Sequence, residues 1–150
     1  MQHAALGTRH SSLVNHLSVT PMAENKSPSP TPARPKERTY AEGEIEEKLK
    51  ALPGWYFEGG WIRRQYKTDG WPTTLMLVNT IGYLAEAAYH HPDLSVTWAK
   101  VWVKLQNHAA GGITDKDFEL ARKIEESVLW RPSGGALEGT PNKFVRGGDR

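Results

Sequence analysis

The run from Leu94 to Asn107 alternates like a β-strand, but its phase slips partway along. Leu94, Val96 and Trp98 share even parity, whereas Val101, Val103 and Leu105 are odd. A two-residue period cannot change parity without a bulge or a turn, so the chain must break step at Trp98-Ala-Lys100. Histidines stand on both sides of this run. His91 and His108 are 17 residues apart, about 50 Å if the chain were extended without a break. They can share one pocket within a subunit only if the chain folds back near residues 98–100. The alternative is a pocket built between subunits.

The flanking segments follow clear periodicities. Thr39-Tyr-Ala-Glu42 has the form of a capping box, and Ala41, Ile45, Leu49 and Leu52 recur at helical spacing up to Pro53-Gly54. Trp55–Glu58 and Trp61–Lys67 read as two strands around Gly59-Gly60. In the second strand Ile62, Arg64 and Tyr66 fall on one face. Asp69-Gly-Trp-Pro72 opens a second helix, with Pro72 in its first turn and Pro92 as its stop. Leu75, Val78, Ile81, Ala85 and Ala88 make one stripe of this helix; Met76, Asn79, Tyr83 and Ala87 make a second. Two buryable faces suggest packing on a sheet and on a partner subunit. Thr114-Asp-Lys-Asp117 is another capping-box pattern, and Phe118, Ala121, Ile124 and Val128 mark a third helix. The expected fold is two-layer α+β in the order α-β-β-α-β-β-α: an antiparallel sheet of three to four strands with three helices on one face.

Residues 1–38 read as a disordered arm, 39–130 as the folded domain and 131–150 as a flexible, Gly- and Pro-rich tail. Residues 1–21 have a faint organelle-targeting flavour, and Met22 is a candidate start; the expected location is otherwise cytoplasmic. The net charge of +2 hides an asymmetry. The arm holds five basic and two acidic residues, which leaves −1 on the other 112. A nucleic-acid binder should carry its basic patch on the folded part, so no nucleic-acid partner is expected. No apolar run approaches the ~20 residues of a membrane span. With no cysteine, thiolate ligands and a cysteine nucleophile are excluded.

The chemistry-bearing stretch is Glu86-Ala-Ala-Tyr-His90-His91-Pro92, with His108 beyond the next apolar run. Imidazole titrates near neutral pH, so a cluster of three suits proton transfer. Glu86 precedes His90 by four residues, one helical turn, and is placed to orient it. His90 and His91 point about 100° apart on a continuing helix. Three readings stay open on spacing alone. In the first the histidines simply end a helix and fill a loop; in the second they converge on zinc; in the third they act as metal-free acid and base. Adjacent histidines are not the i, i+4 pair of helical zinc sites.

The spacing Glu86-x3-His90-His91-Pro92-x5-Trp98-x9-His108-x8-Asp117 resembles the signature of the pterin-4a-carbinolamine dehydratases. His108-x3-Gly112-Ile-Thr-x2-Asp117 and Leu120-Ala121 are similar to that family as well, and the likeness spans residues 39–129. The resemblance implies dehydration of 4a-hydroxytetrahydropterin to quinonoid dihydropterin, in the recycling of the cofactor of aromatic amino-acid hydroxylases. It implies no metal and no organic cofactor. It implies a small-molecule pterin substrate and a homodimer or homotetramer assembled through the 72–89 helix. By the same likeness His90 and His108 are the candidate general acids, and His91 binds the pterin and supports catalysis. Glu86 orients His90, Pro92 fixes the helix end and Trp98 walls the pocket. Asp117 is best explained as a helix cap. Some members of the family serve instead as dimer stabilisers or assembly scaffolds.

Overall fold

The structure, a computed structural model, describes residues 37–141 and 144–149. Most of the arm read as disordered, with its targeting flavour and second candidate start, lies outside the described residues. The elements are α1 (Glu42–Leu49), β1 (Tyr56–Glu58), β2 (Trp61–Thr68), α2 (Trp71–Ala88), β3 (Asp93–Thr97), β4 (Lys100–Leu105), α3 (Asp115–Val128) and β5 (Val145–Gly147). The sheet order is β1-β2-β4-β3, all neighbours antiparallel. The expected α-β-β-α-β-β-α order holds, with one strand added. That strand, β5, lies in the segment read as a loose tail. It pairs with β2 through Tyr66↔Gly147, Lys67↔Arg146 and Thr68↔Val145. Because β4 occupies the other edge of β2, β5 continues the edge that β1 begins.

The parity slip is a hairpin. β3 and β4 pair from Asp93↔Lys104 to Thr97↔Lys100, joined by Trp98 and Ala99 alone. Even residues of β3 therefore face the same way as odd residues of β4, with Leu94 opposite Val103 and Val96 opposite Val101. Ile62, Arg64 and Tyr66 of β2 stand opposite Leu105, Val103 and Val101. All six are buried, and this face carries the helices. The β1–β2 turn uses Gly59 and Gly60 at φ 59° and 82°, the positive values that a two-residue hairpin of right-handed twist requires.

The helices show where an apolar pattern succeeds and where it does not. In α3 the expected Phe118, Ala121, Ile124 and Val128 are all buried. In α2 the buried line is Thr74, Leu77, Ile81 and Ala85, so Leu75 and Ala88 leave the expected stripe. Thr74 can be buried because its hydroxyl is satisfied: it donates to the Trp98 carbonyl at 2.9 Å and lies 2.6 Å from Thr68 Oγ1. The first helix starts later than its expected box. Ala41 is the N-cap, and Glu44, not Glu42, reaches back to its N–H at 3.0 Å.

A charged cluster joins β2 to α3 beneath the core face. Arg64, 5% exposed, forms an ion pair with Glu125 at 3.0 Å. Tyr66 Oη and Trp55 Nε1 both donate to Glu125, at 2.5 and 3.0 Å. Burial pushes the Tyr66 phenol well above its ordinary range, and the Glu125 carboxylate adds to the shift. The same guanidinium donates to the Gly148 carbonyl at 3.2 Å, tying the C-terminal strand to the cluster.

Candidate active site

The hairpin brings the two ends of the Leu94–Asn107 run together. Continuing the β3–β4 register by three residues sets 90 opposite 107 and 91 opposite 106. His90 and His91 enter at this end, and His108 leaves from it, so the fold-back required by the sequence takes place within one subunit.

The turn that delivers the histidines is not made by Pro92. Helix α2 stops at Ala88 because Tyr89 adopts a left-handed conformation, φ 49° and ψ 43°. Tyr89 N–H then donates to the Glu86 carbonyl at 3.1 Å and His90 N–H to the Ala85 carbonyl at 3.0 Å, the pair of bonds that closes a Schellman helix end. Pro92 follows and leads into β3.

This early stop reassigns the carboxylates. The expectation that Glu86 orients His90 assumed a helix running through residue 90. With the helix unwound at Tyr89, Glu86 Oε2 instead lies 3.0 Å from His91 Nε2. Both side chains are open to solvent, so this pair contributes little to stability. His90 turns inward, where its Nε2 donates to Asp117 Oδ1 at 2.7 Å. Its side chain is 11% exposed and that of Asp117 is fully buried. Asp117 Oδ2 accepts from the Thr114 N–H at 2.7 Å and from Thr114 Oγ1 at 3.2 Å. The aspartate thus caps α3, as its box pattern indicated, and also holds the His90 ring. The cap was legible from Thr114-x2-Asp117; the contact with His90 joins residues 27 apart and had only the family spacing to signal it.

His108 is exposed and packs edge-on against Trp61, ring centroids 5.3 Å apart. The preceding Asn107 is buried and bonds Thr114 Oγ1 at 3.3 Å, which links the base of His108 to the Asp117 cap. Trp98 does not join the cluster in this subunit. It sits in the β3–β4 turn, with five strand residues, about 17 Å, between it and Pro92. There its ring covers Gly70 at the start of α2.

Beside His90, between α2 and α3, lies a cavity of about 240 Å³ lined also by Leu84, Ala88, Lys116, Glu119, Leu120 and Lys123. Among the described residues no three histidine, aspartate or glutamate side chains are grouped as metal ligands are, and no helix is long and apolar enough to cross a membrane.

A four-strand antiparallel path with three helices on one face, and two histidine–carboxylate contacts at one end of its β3–β4 hairpin, defines a class of small α+β domain. The sequence profile described as Pterin 4 alpha carbinolamine dehydratase matches residues 38–127, and the chain belongs to this family. Among its relatives is a protein of Aquifex aeolicus named "Putative pterin-4-alpha-carbinolamine dehydratase", 47% identical over 91 residues, which are 61% of this chain and 92% of the relative. A Roseiflexus castenholzii protein of the same name is 44% identical over 87 residues, 58% of this chain and 94% of its own. The crystal structure of a transcriptional coactivator/pterin dehydratase from Brucella melitensis is similar at a TM-score of 0.56 with 31% identity. The similarity covers 59% of this chain and 96% of that one.

Proposed function

We propose that this chain dehydrates 4a-hydroxytetrahydropterin to quinonoid dihydropterin, in the recycling of the tetrahydropterin cofactor of aromatic amino-acid hydroxylases, by histidine acid–base chemistry without a metal. Family membership supports the reaction. The observation that carries the mechanism is the 2.7 Å contact of His90 Nε2 with the buried Asp117.

In the reaction the C4a–O bond breaks, the N5 proton leaves and a C4a=N5 double bond forms. Hydroxide is a poor leaving group, so a proton must be delivered to it as the bond breaks. Asp117 accepts three hydrogen bonds and presents no donor. The hydrogen of His90 Nε2 is therefore committed to it, which leaves Nδ1 to exchange a proton with the substrate. His91 has only the solvent-exposed contact with Glu86 and is assigned to pterin binding and support of catalysis. His108, at the same end of the hairpin, is the second candidate acid. The test is acceleration of 4a-hydroxytetrahydropterin breakdown by the purified protein, equal with and without a chelator. His91→Ala should abolish the acceleration and leave oligomer size unchanged. Equal rates for wild type and variant would remove His91 from the mechanism, and an absence of acceleration by the wild type would remove the reaction.

A second reading, as an assembly scaffold, draws on the outer face of α2. Trp71, Leu75, Met76 and Tyr83 are exposed there, Tyr83 by 74%, and Leu75, Met76 and Tyr83 share a groove with Pro72, Asn79 and Thr80. So large an apolar face on a helix marks an interaction surface. The Brucella relative is named a coactivator as well as a dehydratase, and the two roles are compatible because the groove and the histidines occupy different stretches of the chain. This face is assigned to homo-oligomer assembly. Tyr83→Asp should reduce the particle mass measured by light scattering; an unchanged mass would count against the assignment.

A further inference from the structure

Tyr89 is the single non-glycine residue with positive φ among the described residues. Glycine or asparagine takes this helix-ending conformation at little cost, whereas a bulky side chain is strained in it. The hydrogen bonds that close the helix end are made by backbone groups and need no aromatic ring. Nor does the ring serve the core, since the residue is 85% exposed. The fold therefore gives no reason for a tyrosine here. A strained residue beside a candidate site is one whose side chain is kept for a task.

The task is indicated by its neighbour. The rings of Tyr89 and His91 are 6.0 Å apart, centroid to centroid, with planes 78° from parallel. They form two walls of an open corner, next to the inward-turned His90. We propose that Tyr89 is a substrate-contact residue whose ring face stacks on the flat pterin and seats it beside His91, an inference that rests on the dehydratase reading. A tyrosine suits this role: it offers a large rigid face with only two side-chain torsions to immobilise. The substrate suits it too. Its pyrimidine half is planar, so it can lie flat on the ring while its edge meets the nearly perpendicular His91.

Stacking and strain make opposite demands on one residue, which gives the test its signature. In the full-length chain Tyr89→Asn should melt higher, by about 4 °C, because asparagine accepts the left-handed backbone. The same variant should raise KM about tenfold, the size of one lost base–aromatic stack, with the loss falling on KM more than on kcat. Tyr89→Phe keeps the ring and should recover most of the lost affinity. Oligomer mass should not move. Fluorescence titration with 7,8-dihydropterin, a stable probe, separates the possible failures. If the wild type binds the probe and Tyr89→Asn binds it equally well, the stacking role is wrong and the dehydratase reading stands. If the wild type neither binds the probe nor speeds the breakdown, both fall. A Tyr89→Asn protein that melts lower, or that changes mass, would overturn the inference by showing the ring to be structural or interfacial.

Discussion

The carboxylate of Asp117 joins the first turn of α3 to the ring of His90, one oxygen accepting from Thr114 N–H and the other from His90 Nε2, each at 2.7 Å. Capping and ring orientation are thus tasks of different atoms of one side chain, and they can be separated by mutation. Thr114→Ala removes the hydroxyl that donates to Asp117 but leaves the contact with His90. It should cost about 1 kcal/mol of stability, the usual worth of a cap residue, with kcat nearly preserved. Asp117→Asn puts an amide where His90 needs an acceptor. It should lower kcat by about 10²–10⁴-fold, as the loss of an orienting carboxylate does in a serine protease triad. Melting curves and steady-state rates of the two variants decide the matter. If Asp117→Asn loses stability with kcat intact, the aspartate is a cap and nothing more.

The same contact shows what the sequence could and could not disclose. The hairpin was legible because parity is a strict property of strands, even though Trp98-Ala99 carries no Gly or Asn turn signal. The third helix was legible because its cap and its apolar line agree. The partner of His90 was misread because i, i+4 logic holds only while a helix lasts, and nothing local marks Tyr89 as its end: tyrosine is a poor residue for a left-handed position. Periodicity also misplaced the buried line of α2, since a satisfied Thr74 can lie inside and Leu75 outside. The strand at Val145–Gly147 sits in a stretch whose Gly and Pro content reads as loose. Its pairing depends on β2, nearly 80 residues earlier, and short-range patterns do not reach that far.

Tyr66 gives a pH dependence whose sign is fixed. Burial, then the neighbouring Glu125 carboxylate, raises its phenol pKa in the folded state. In the unfolded chain the phenol ionises near its ordinary value of about 10. Above that pH the unfolded state binds fewer protons than the folded state, so stability falls as pH rises. Below it both states are protonated and the group contributes no slope. Denaturant melts between about pH 9 and pH 11 should show wild type losing up to about 1.4 kcal/mol per pH unit more than Tyr66→Phe at the alkaline end. Parallel curves for the two proteins would mean that the phenol ionises as readily folded as unfolded.

Arg64 ties the central strand, α3 and the C-terminal strand together, and its removal should be felt in all three. Arg64→Met leaves the largely buried Glu125 of α3 without its ion partner and should cost about 3–5 kcal/mol. It also removes the donor to the Gly148 carbonyl, so β5 should be cut sooner in limited proteolysis. Adding Glu125→Leu removes the stranded charge and should restore part of the loss. Restoration stops short of complete because Tyr66 Oη and Trp55 Nε1 then lose their acceptor. Gly147→Ala approaches the same cluster from the other side, since a Cβ there would collide with the Arg64 guanidinium. It should release β5 while the ion pair with Glu125 survives, and so cost less than Arg64→Met. Chemical denaturation of the four proteins gives the ranking. If Gly147→Ala proved as harmful as Arg64→Met, the cluster would act mainly as the anchor of β5, and the Glu125 pair would matter less than its burial implies.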